Sequence, residues 1–229
     1  KVLIDVRTAG VNPVDTYIRA GTFALLPPLP YTPGIDGAGV VREVGTSVTH
    51  LTVGDRVWFY TYAGATAEVT VATYAFPLPK ALSFTEGACL GLPYTTAFRA
   101  LFTKGHIKST DRVLIHGASG GVGLAACQLA AFAGAALVVG TAGTQQGLDA
   151  VCRNGAHHAI NHRAEGYAER LKEIAPDGFD LIIEMVAVTN LLSDIDLLAH
   201  SGRVGLVGGN GVVPIAPGAI MRKELSVYG

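Results

Sequence analysis

The sequence has few of the features that mark secreted, metal-binding or nucleic-acid-binding proteins. Of its 229 residues only three are cysteines, Cys89, Cys127 and Cys152, an odd number without the spacing of a metal-ligand cluster. So few cysteines favour a reducing compartment, and we expect a cytoplasmic protein. The net charge is −1 and the isoelectric point about 6.7. Electrostatics therefore gives no reason to expect binding to nucleic acid or to an anionic membrane.

The chain also lacks an initiator methionine and a signal peptide. It stops within an apparent strand, so we expect it to be a fragment of a longer polypeptide. The run Gly123–Gly140 has Gln128 as its only clearly polar residue and is apolar enough to be mistaken for a membrane span. Because this run lies within an alternation of strands and helices, we interpret it as buried helix and strand and expect no membrane segment.

The most informative segment is a glycine-rich stretch between a predicted strand and a predicted helix. Arg112–Ile115 is a short, mostly apolar run, typical of a buried parallel strand. Leu124–Phe132 is rich in alanine and leucine, which favours a helix. Glycines stand between them at positions 117, 120, 121 and 123. A glycine turn in this setting holds the pyrophosphate of a dinucleotide against the helix N-terminus.

The glycine pattern departs from the strict dinucleotide fingerprint, because Ala118 occupies the first glycine position. Gly120 and Gly123 occupy the second and third positions. We therefore predict that the backbone approaches the phosphates at Gly120, and that helix and strand pack closely at Gly123. The predicted phosphate-binding residues are Ser119, Gly120, Gly121 and Val122.

Strand and helix patterns continue to alternate along the second half of the chain, which predicts an α/β fold with a doubly wound parallel sheet. The further predicted strands are Ala136–Gly140, His158–Asn161, Phe179–Met185, Arg203–Val207 and Leu225–Tyr228. The predicted helices are Thr144–Arg153, Ala164–Ile174 and Asn190–Ala199. Such sheets bind ligands beyond the carboxyl ends of their strands. This rule nominates, as cofactor-binding residues, Gly143, His162, Asn190, Val207, Gly208, Gly209 and Asn210.

The first part of the chain follows a different pattern, in which short strand-like runs alternate with turns rich in proline and glycine, and this predicts a compact β-rich unit. The runs are Val2–Arg7, Gly37–Val44, Arg56–Tyr62 and Ala67–Val71. Two helical segments, Ser83–Gly91 and Tyr94–Phe102, then lead into the alternation of strands and helices. We predict a β-rich catalytic domain at residues 1–92 and a dinucleotide-binding domain at residues 93–229.

Motifs spread along the whole chain resemble those of one family, in the same order. They are Gly10–Arg19, Pro30–Gly34, Val53–Val57, His116–Gln128, Gly140–Thr144, Asn154–His157, Asn161–Arg163 and Ile183–Met185. The chain resembles the quinone oxidoreductase branch of the medium-chain dehydrogenase/reductase superfamily, the branch that includes zeta-crystallin. The resemblance implies a GroES-like domain followed by a Rossmann domain, and a family chain that is longer at both ends. It also implies a homo-oligomer, either a dimer or a tetramer.

The resemblance bears on metal binding as well. Zinc-dependent members of the superfamily carry cysteine and histidine–glutamate ligands in two turns, where this chain has Asn12 and Ile35–Asp36. A catalytic zinc needs about three ligands of the cysteine, histidine or carboxylate type, and none converge by sequence. We expect zinc-independent chemistry and no metal. The histidines interpreted as surface or turn residues are His50, His106, His157, His158 and His200.

Reasoning from the residues leaves the choice of nicotinamide cofactor open. Sites that prefer NAD place Asp or Glu after the second strand, where it binds the ribose 2′-hydroxyl. Gly140–Gly147 contains no acid, so a 2′-phosphate is not repelled, but a neutral loop tolerates either cofactor. Gly143 and Thr144 offer amides or a hydroxyl, and His162 or Arg163 can add positive charge. Together with the family resemblance, the missing acid leads us to expect NADPH.

The resemblance places the turn Asn12–Arg19 over the nicotinamide. Tyr17 in this turn can hydrogen-bond the cofactor or substrate or donate a proton; the alternative is a packed aromatic residue. Asn12 and Thr96 are further catalytic candidates, although either can simply cap a helix or stabilise a turn. We interpret Asp15 as a structural turn residue rather than a base.

These features and the resemblance lead us to expect NADPH-dependent, zinc-independent reduction of quinones by electron or hydride transfer. An alternative on the same scaffold is NADPH-dependent reduction of α,β-unsaturated carbonyls, that is, of alkenals or enones. A non-enzyme alternative is allowed by the resemblance alone: an NADPH-binding crystallin of the lens or an RNA-binding protein. The near-zero net charge gives that alternative no independent support.

Overall fold

The computed structural model describes residues 1–209 and 211–229. The chain divides into two compact units, Lys1–Thr95 and Thr96–Gly229, and each is described by itself. Asn210, one of the predicted cofactor-binding residues, lies outside the described residues. In the part of the chain that the structure describes, no helix is both long and apolar enough to cross a membrane.

An antiparallel sheet of five strands forms the first unit, in the order β4-β1-β2-β3-β5. Its strands are β1 (Val2–Ala9), β2 (Asp36–Val44), β3 (Arg56–Tyr60), β4 (Val69–Ala72) and β5 (Tyr74–Pro77). The core on its buried side includes Ile4, Val41 and Phe59, all of them almost completely buried. The predicted β-rich fold of this part of the chain is therefore confirmed.

The sequence analysis missed strand β5. This strand pairs with β3, but its large side chains Tyr74 and Phe76 are 56% and 42% exposed. Only the small residue Ala75 between them is buried. A strand that buries a single alanine leaves almost no alternating apolar pattern, and such a pattern is what reveals a strand in a sequence.

The segment after β1 is a helix rather than the predicted turn. Helix α1 spans Pro13–Arg19 and has Asn12 as its N-cap. The Asp15 carboxylate accepts a hydrogen bond from the Asn12 N–H at 2.8 Å, and proline is well suited to the first position of a helix. The sequence therefore held a helix-start signal that we interpreted as a turn. Asp15 has the structural role that we expected.

Two more helices follow in the chain, α2 (Phe84–Ala88) and α3 (Gly91–Phe98), and α3 continues directly into a π-helix, Arg99–Lys104. We predicted one helix that began at Tyr94, with Thr96 near its start. Because α3 begins at Gly91, Thr96 lies well inside the helix. The alternative role of Thr96 as a helix cap is therefore wrong.

A parallel sheet of six strands forms the second unit, in the order β11-β10-β9-β6-β7-β8. Its strands are β6 (Arg112–Ile115), β7 (Leu137–Ala142), β8 (His158–Asn161), β9 (Phe179–Glu184), β10 (Leu198–Leu206) and β11 (Ser226–Tyr228). The helices are α4 (Gly121–Phe132), α5 (Gln145–Arg153), α6 (Tyr167–Ile174), α7 (Ala187–Leu197) and α8 (Pro217–Lys223). The predicted doubly wound α/β fold is confirmed.

The direction of winding reverses between β6 and β9. From β6 the chain moves outward through β7 and β8, and it then returns to the other side of β6 to form β9, β10 and β11. The central strands are fully buried, with Leu114 and Ile182 at 0% exposure. In open sheets of this kind, ligands bind at the carboxyl ends of the strands next to such a reversal, so the turns after β6 and β9 are the place to look for a site.

Candidate functional site

The glycine turn joins the central strand β6 to helix α4. Gly120 is the N-cap of α4, and the helix begins at Gly121. Gly117 has φ +56°, in the left-handed region that suits glycine, and its carbonyl accepts the Gly120 N–H at 3.0 Å. The first N–H groups of a helix have no acceptor within the helix. Since the first turn of α4 carries no acidic side chain, this turn can receive a phosphate on its backbone N–H groups.

The two glycines of the fingerprint differ in their surroundings. Among the atoms that the structure describes, a Cβ atom added to Gly120 would meet only the Gly117 carbonyl oxygen, at an ordinary contact distance of 3.4 Å. A Cβ atom on Gly123 would lie 2.5 Å from both Ala118 Cα and the Gly117 carbonyl oxygen. Gly120 therefore faces open space where a ligand fits, whereas Gly123 lets the helix pack against the turn.

The four predicted phosphate-binding residues lie together on this turn. Ser119, Gly120 and Gly121 are exposed, and Val122 is half-buried. The Gly120 N–H donates to the Gly117 carbonyl, so the N–H groups of Ser119, Gly121 and Val122 are the candidates for binding a phosphate.

A second group of predicted residues meets at the carboxyl ends of β7 and β8. A Cβ atom added to Gly143 would lie 2.8 Å from Arg163 Nε and 3.0 Å from His162 Nε2. Thr144 is the N-cap of α5, and its hydroxyl accepts the Gly147 N–H at 3.1 Å. The structure thus brings the neutral loop after β7 beside an arginine, an arrangement that can hold the 2′-phosphate of NADPH.

The positive charge beside Gly143 comes from Arg163. Burial lowers the pKa of His162, and the charges of Arg163 and His116 lower it further. The shift disfavours the charged form of His162, so Arg163 is the cation that the structure brings beside Gly143. A contribution of positive charge from His162 stays a prediction.

A buried group of ionisable side chains, which the sequence analysis did not predict, lies where β6 and β9 end. It consists of His116, Glu184 and Asp194, and we call it the His116 cluster. These side chains are at most 5% exposed. His116 Nε2 lies 2.9 Å from Asp194 Oδ1 and 3.8 Å from Glu184 Oε2. Among residues 1–209 and 211–229, Glu184 Oε2 and Asp194 Oδ2 are buried without a hydrogen-bond partner.

The surroundings of the His116 cluster shift two pKa values. Burial raises the pKa of Glu184 from 4.5 to about 7; the positive charge of His116 opposes this shift and the negative charge of Asp194 reinforces it. Burial alone would lower the pKa of His116, but the hydrogen bond to Asp194 and the charges of both carboxylates raise it overall. Since His116 and Asp194 are already at hydrogen-bonding distance, we interpret the group as a hydrogen-bonded cluster.

The His116 cluster is hydrogen-bonded to both neighbouring turns. Glu184 Oε1 accepts the Val186 N–H and, at 3.2 Å, a hydrogen bond from Asn190 Nδ2. His116 Nδ1 lies 3.4 Å from the hydroxyl oxygen of Thr141, which itself accepts the Gly117 N–H at 3.2 Å. Asn190, a predicted cofactor-binding residue, therefore has its amide turned toward Glu184 in this structure.

The loop after β10 packs on the turn after β9. The Val207 N–H donates to the Glu184 carbonyl at 2.8 Å, and the Gly208 carbonyl accepts the Ala187 N–H at 3.1 Å. Gly209 has φ +125°, which favours glycine. The structure thus brings Val207, Gly208 and Gly209 beside the His116 cluster and near the reversal of the sheet.

In the first unit, Asn12 is buried, and its side-chain amide is engaged in a hydrogen bond. Its Nδ2 donates to Asp36 Oδ1 at 2.8 Å, and the other oxygen of Asp36 accepts the Leu92 N–H at 2.6 Å. Burial raises the pKa of Asp36, although these two hydrogen bonds partly oppose the shift. Asn12 therefore donates a hydrogen bond to Asp36 and occupies the N-cap position of α1.

Tyr17 and Thr96 have different environments. Tyr17 lies on α1 and is 43% exposed, which is unlike the packed aromatic residue of the alternative interpretation. Thr96 is half-buried on α3. The five histidines that we interpreted as surface or turn residues are all exposed.

Comparison with known proteins agrees with this architecture. Residues 1–89 match the family model of the alcohol dehydrogenase GroES-like domain, and residues 121–229 match that of the zinc-binding dehydrogenases. The chain is 48% identical to the quinone oxidoreductase of Homo sapiens over 233 residues, which cover 100% of this chain and 70% of the human protein.

Solved structures give the same result. The structure of the Escherichia coli quinone oxidoreductase complexed with NADPH is 34% identical in sequence, with a TM-score of 0.86, and the match covers 99% of this chain and 71% of that one. The CurK enoyl reductase is 28% identical, with a TM-score of 0.86, and the match covers 99% and 71%. With 48% identity to a curated relative along its whole length, the chain belongs to the quinone oxidoreductase family of the medium-chain dehydrogenase/reductase superfamily.

Proposed function

We propose that this protein catalyses the NADPH-dependent reduction of quinones. The observation that carries the proposal is the 48% identity to a quinone oxidoreductase over the whole chain. The glycine turn and the Arg163 side chain support the NADPH part of the proposal, because they offer anion-binding groups at two carboxyl ends of the parallel sheet. The solved structure of the Escherichia coli quinone oxidoreductase with NADPH supports the same cofactor.

The second unit would hold the cofactor by its phosphates. The N–H groups of Ser119, Gly121 and Val122 would bind the pyrophosphate, and the open space beside Gly120 would admit it. Arg163, next to Gly143, would hold the 2′-phosphate. The turns that contain Asn190 and Val207–Gly209 would flank the cofactor at the reversal of the sheet. Bound NADPH would supply a hydride from its nicotinamide ring.

The first unit would contribute to binding the acceptor. We propose that the exposed Tyr17 hydroxyl hydrogen-bonds the cofactor or the acceptor oxygen, where a donor stabilises the charge that develops during transfer. Asn12 would act as a positioning residue, because its amide is engaged by Asp36. Thr96 stays a further candidate for contact with the nicotinamide. In this proposal the protein orients the reactants and excludes water, and it forms no covalent bond to them.

Reduction of α,β-unsaturated carbonyls is a second candidate function. The match to the CurK enoyl reductase over 99% of this chain favours it, since both reactions deliver a hydride to an acceptor conjugated with a carbonyl group.

We also propose that the protein works in the cytoplasm as a homo-oligomer, a dimer or a tetramer. The family resemblance supports the oligomer. The cysteines support a reducing compartment, since Cys89, Cys127 and Cys152 are all unpaired.

The test is the oxidation of NADPH by the purified protein with three acceptors: an ortho-quinone, a para-quinone and an enone. We expect oxidation that depends on a quinone and is lost in the variant Gly120→Val. Turnover with the enone alone would favour the second candidate. NADPH binding without turnover on any acceptor would contradict both.

A further inference from the structure

The His116 cluster has no part in the proposed binding of phosphates, yet it is buried where the sheet reverses. If His116 were charged and both carboxyl groups ionised, the cluster would carry a net charge of −1 in a site where Glu184 and Asp194 are fully buried. A buried charge without a counter-charge is strongly disfavoured. The hydrogen bond from His116 satisfies only one of the two oxygens of Asp194.

One additional proton on the cluster removes both the net charge and the lack of hydrogen bonds to the carboxylate oxygens. Among the described residues, Glu184 Oε2 and Asp194 Oδ2 are the two buried oxygens of the cluster that lack a partner, and one carboxyl oxygen of Glu184 lies within 4.8 Å of one of Asp194. A hydroxyl on Glu184 that donates to Asp194 satisfies both carboxyl groups at once. The cluster is then neutral, with a protonated His116, an ionised Asp194 and an uncharged Glu184.

We propose that Glu184 is a proton-holding positioning residue, whose uncharged form ties the turn after β9 to the glycine turn and thereby supports cofactor binding. The link runs through hydrogen bonds described above: from Val186 and Asn190 to Glu184, and from Gly117 through Thr141 to His116. Loss of the proton leaves an uncompensated negative charge beneath both turns. The proposal rests on the proposed function, because it takes these turns to be the cofactor site.

The other charged groups near the cluster are few. A cavity of about 90 Å³ adjoins His116 and Asn190 from the side of α6 and α7. In the part of the chain that the structure describes, the ionisable groups that face the cluster or this cavity are His116, Asp194, His162, Tyr167, Lys172 and Asp196. Lys172 and Asp196 are exposed, so solvent screens their charges, and the immediate partners of Glu184 dominate its ionisation.

The direction of the pH dependence follows from the pKa of Glu184. Its folded value of about 7 lies above the ordinary 4.5, so the folded protein holds this proton more tightly than the unfolded chain does. The stabilisation is therefore complete below about pH 4.5 and is lost as the pH rises through about 7. We expect NADPH to bind more weakly above pH 7, by about five- to tenfold, at the lower end of coupling between linked sites.

The experiment measures the Kd of NADPH from pH 5.5 to 9 for the wild type, Glu184→Gln and Asp194→Asn. Glutamine reproduces the uncharged form, because its oxygen accepts where Oε1 does and its amide donates toward Asp194. We expect the wild-type Kd to rise with a midpoint near pH 7 and the Glu184→Gln Kd to stay within twofold of its low-pH value. Asparagine at 194 removes the charge that raises the pKa values of both Glu184 and His116, so the pH midpoint of the Kd should shift from its wild-type value.

Infrared spectroscopy supplies a readout that a purely structural role would not move. At pH 6 the wild type should show the C=O stretch of a protonated buried carboxyl, which disappears in Glu184→Gln and titrates near pH 7 in the wild type. The proposal is overturned if this band is absent or if Glu184→Gln keeps the wild-type pH dependence. The ligand atoms of His116, Glu184 and Asp194 lie within 4.8 Å of one another and could hold a metal ion, so the proposal is also overturned if a chelator abolishes the pH dependence. If NADPH does not bind at any pH, the proposed function fails, while the infrared band still decides whether Glu184 holds the proton. If Glu184→Gln does not fold, the infrared band of the wild type still tests the proposal.

Discussion

Two substitutions in the glycine turn can separate its role in cofactor binding from its role in the packing of α4. In Gly120→Val the new side chain would enter the open space beside the turn, since only the Gly117 carbonyl oxygen lies within reach, at 3.4 Å. The backbone at Gly120 is extended, with φ −81° and ψ 172°, and β-branched residues are compatible with such a conformation. In Gly123→Ala the added Cβ would lie 2.5 Å from Ala118 Cα, so the helix or the turn must move.

Gly120→Val should lose affinity for NADPH, whereas Gly123→Ala should lose stability. Gly120→Val places a branched side chain where the phosphates approach. Each lost hydrogen bond to a charged group costs about 1.5–3 kcal/mol, so the NADPH Kd should rise on the order of 10- to 150-fold per bond. Its unfolding free energy should change by about 1 kcal/mol or less, the scale of an N-cap substitution. Gly123→Ala overpacks a tight contact, which costs about 1–3 kcal/mol and lowers Tm by about 2–12 °C.

Fluorescence titration with NADPH and thermal unfolding of the same samples measure both quantities. Gly120→Ala is the matched control, because it adds the smallest side chain at the binding position and should fall between the wild type and Gly120→Val in affinity. The assignment would be refuted by a folded Gly120→Val protein that binds NADPH as tightly as the wild type does. A Gly123→Ala protein of unchanged Tm would refute the packing argument.

Four further predictions concern cofactor choice, the acceptor and metal content. Arg163→Gln should weaken NADPH binding by about tenfold, through loss of a charge-assisted hydrogen bond, and leave NADH binding unchanged; equal effects on both cofactors would place Arg163 away from the 2′-phosphate. Gly143→Asp should shift preference toward NADH, because the new carboxylate would both pair with Arg163 and repel the phosphate, whereas Gly143→Asn, the uncharged control, should not. Tyr17→Phe should cost about 0.5–1.5 kcal/mol, or up to roughly tenfold in kcat/KM with a quinone; a loss on the order of 100-fold would indicate proton donation, and no loss would leave Tyr17 without a role. Elemental analysis of dialysed protein should find negligible zinc, and one activity-linked zinc per chain would overturn the zinc-independent mechanism.

The parts of the site that could be predicted from the sequence are those formed by residues close together in the chain. The glycine turn, with Gly120 and Gly123, is a strand, a turn and a helix start in succession, and its pattern shows before any tertiary structure is known. The neutral loop at Gly143 is equally local. Its neighbour Arg163 could be proposed because the carboxyl ends of adjacent parallel strands must lie side by side.

The His116 cluster could not be predicted in the same way. His116 and Asp194 are 78 positions apart in the sequence, and Asp194 comes from the interior of α7, where an acidic residue is usually interpreted as solvated. His116 follows β6 and Glu184 ends β9, but the burial of both side chains is a property of the packed sheet. The lowered pKa of His162 likewise depends mainly on burial and also on the charge of the distant His116, which no local pattern contains.

The motif at Gly10–Arg19 shows how a family resemblance can be traced to packing around one side chain. The carboxylate of Asp36 is buried between two glycines, and a Cβ atom on either Gly10 or Gly91 would collide with it. Asn12 and the Leu92 N–H supply the donors that a buried carboxylate requires. Each part of this arrangement depends on the others, because a larger residue at either glycine would displace the carboxylate from its donors. Since Asn12 also caps α1, the same contacts fix the start of the helix that carries Tyr17. Asn12 and Asp36, at positions where zinc-dependent relatives are expected to carry ligands, are therefore joined here by a hydrogen bond. A substitution of Asp36 should affect the proposed acceptor site through α1, even though the Asp36 side chain is completely buried.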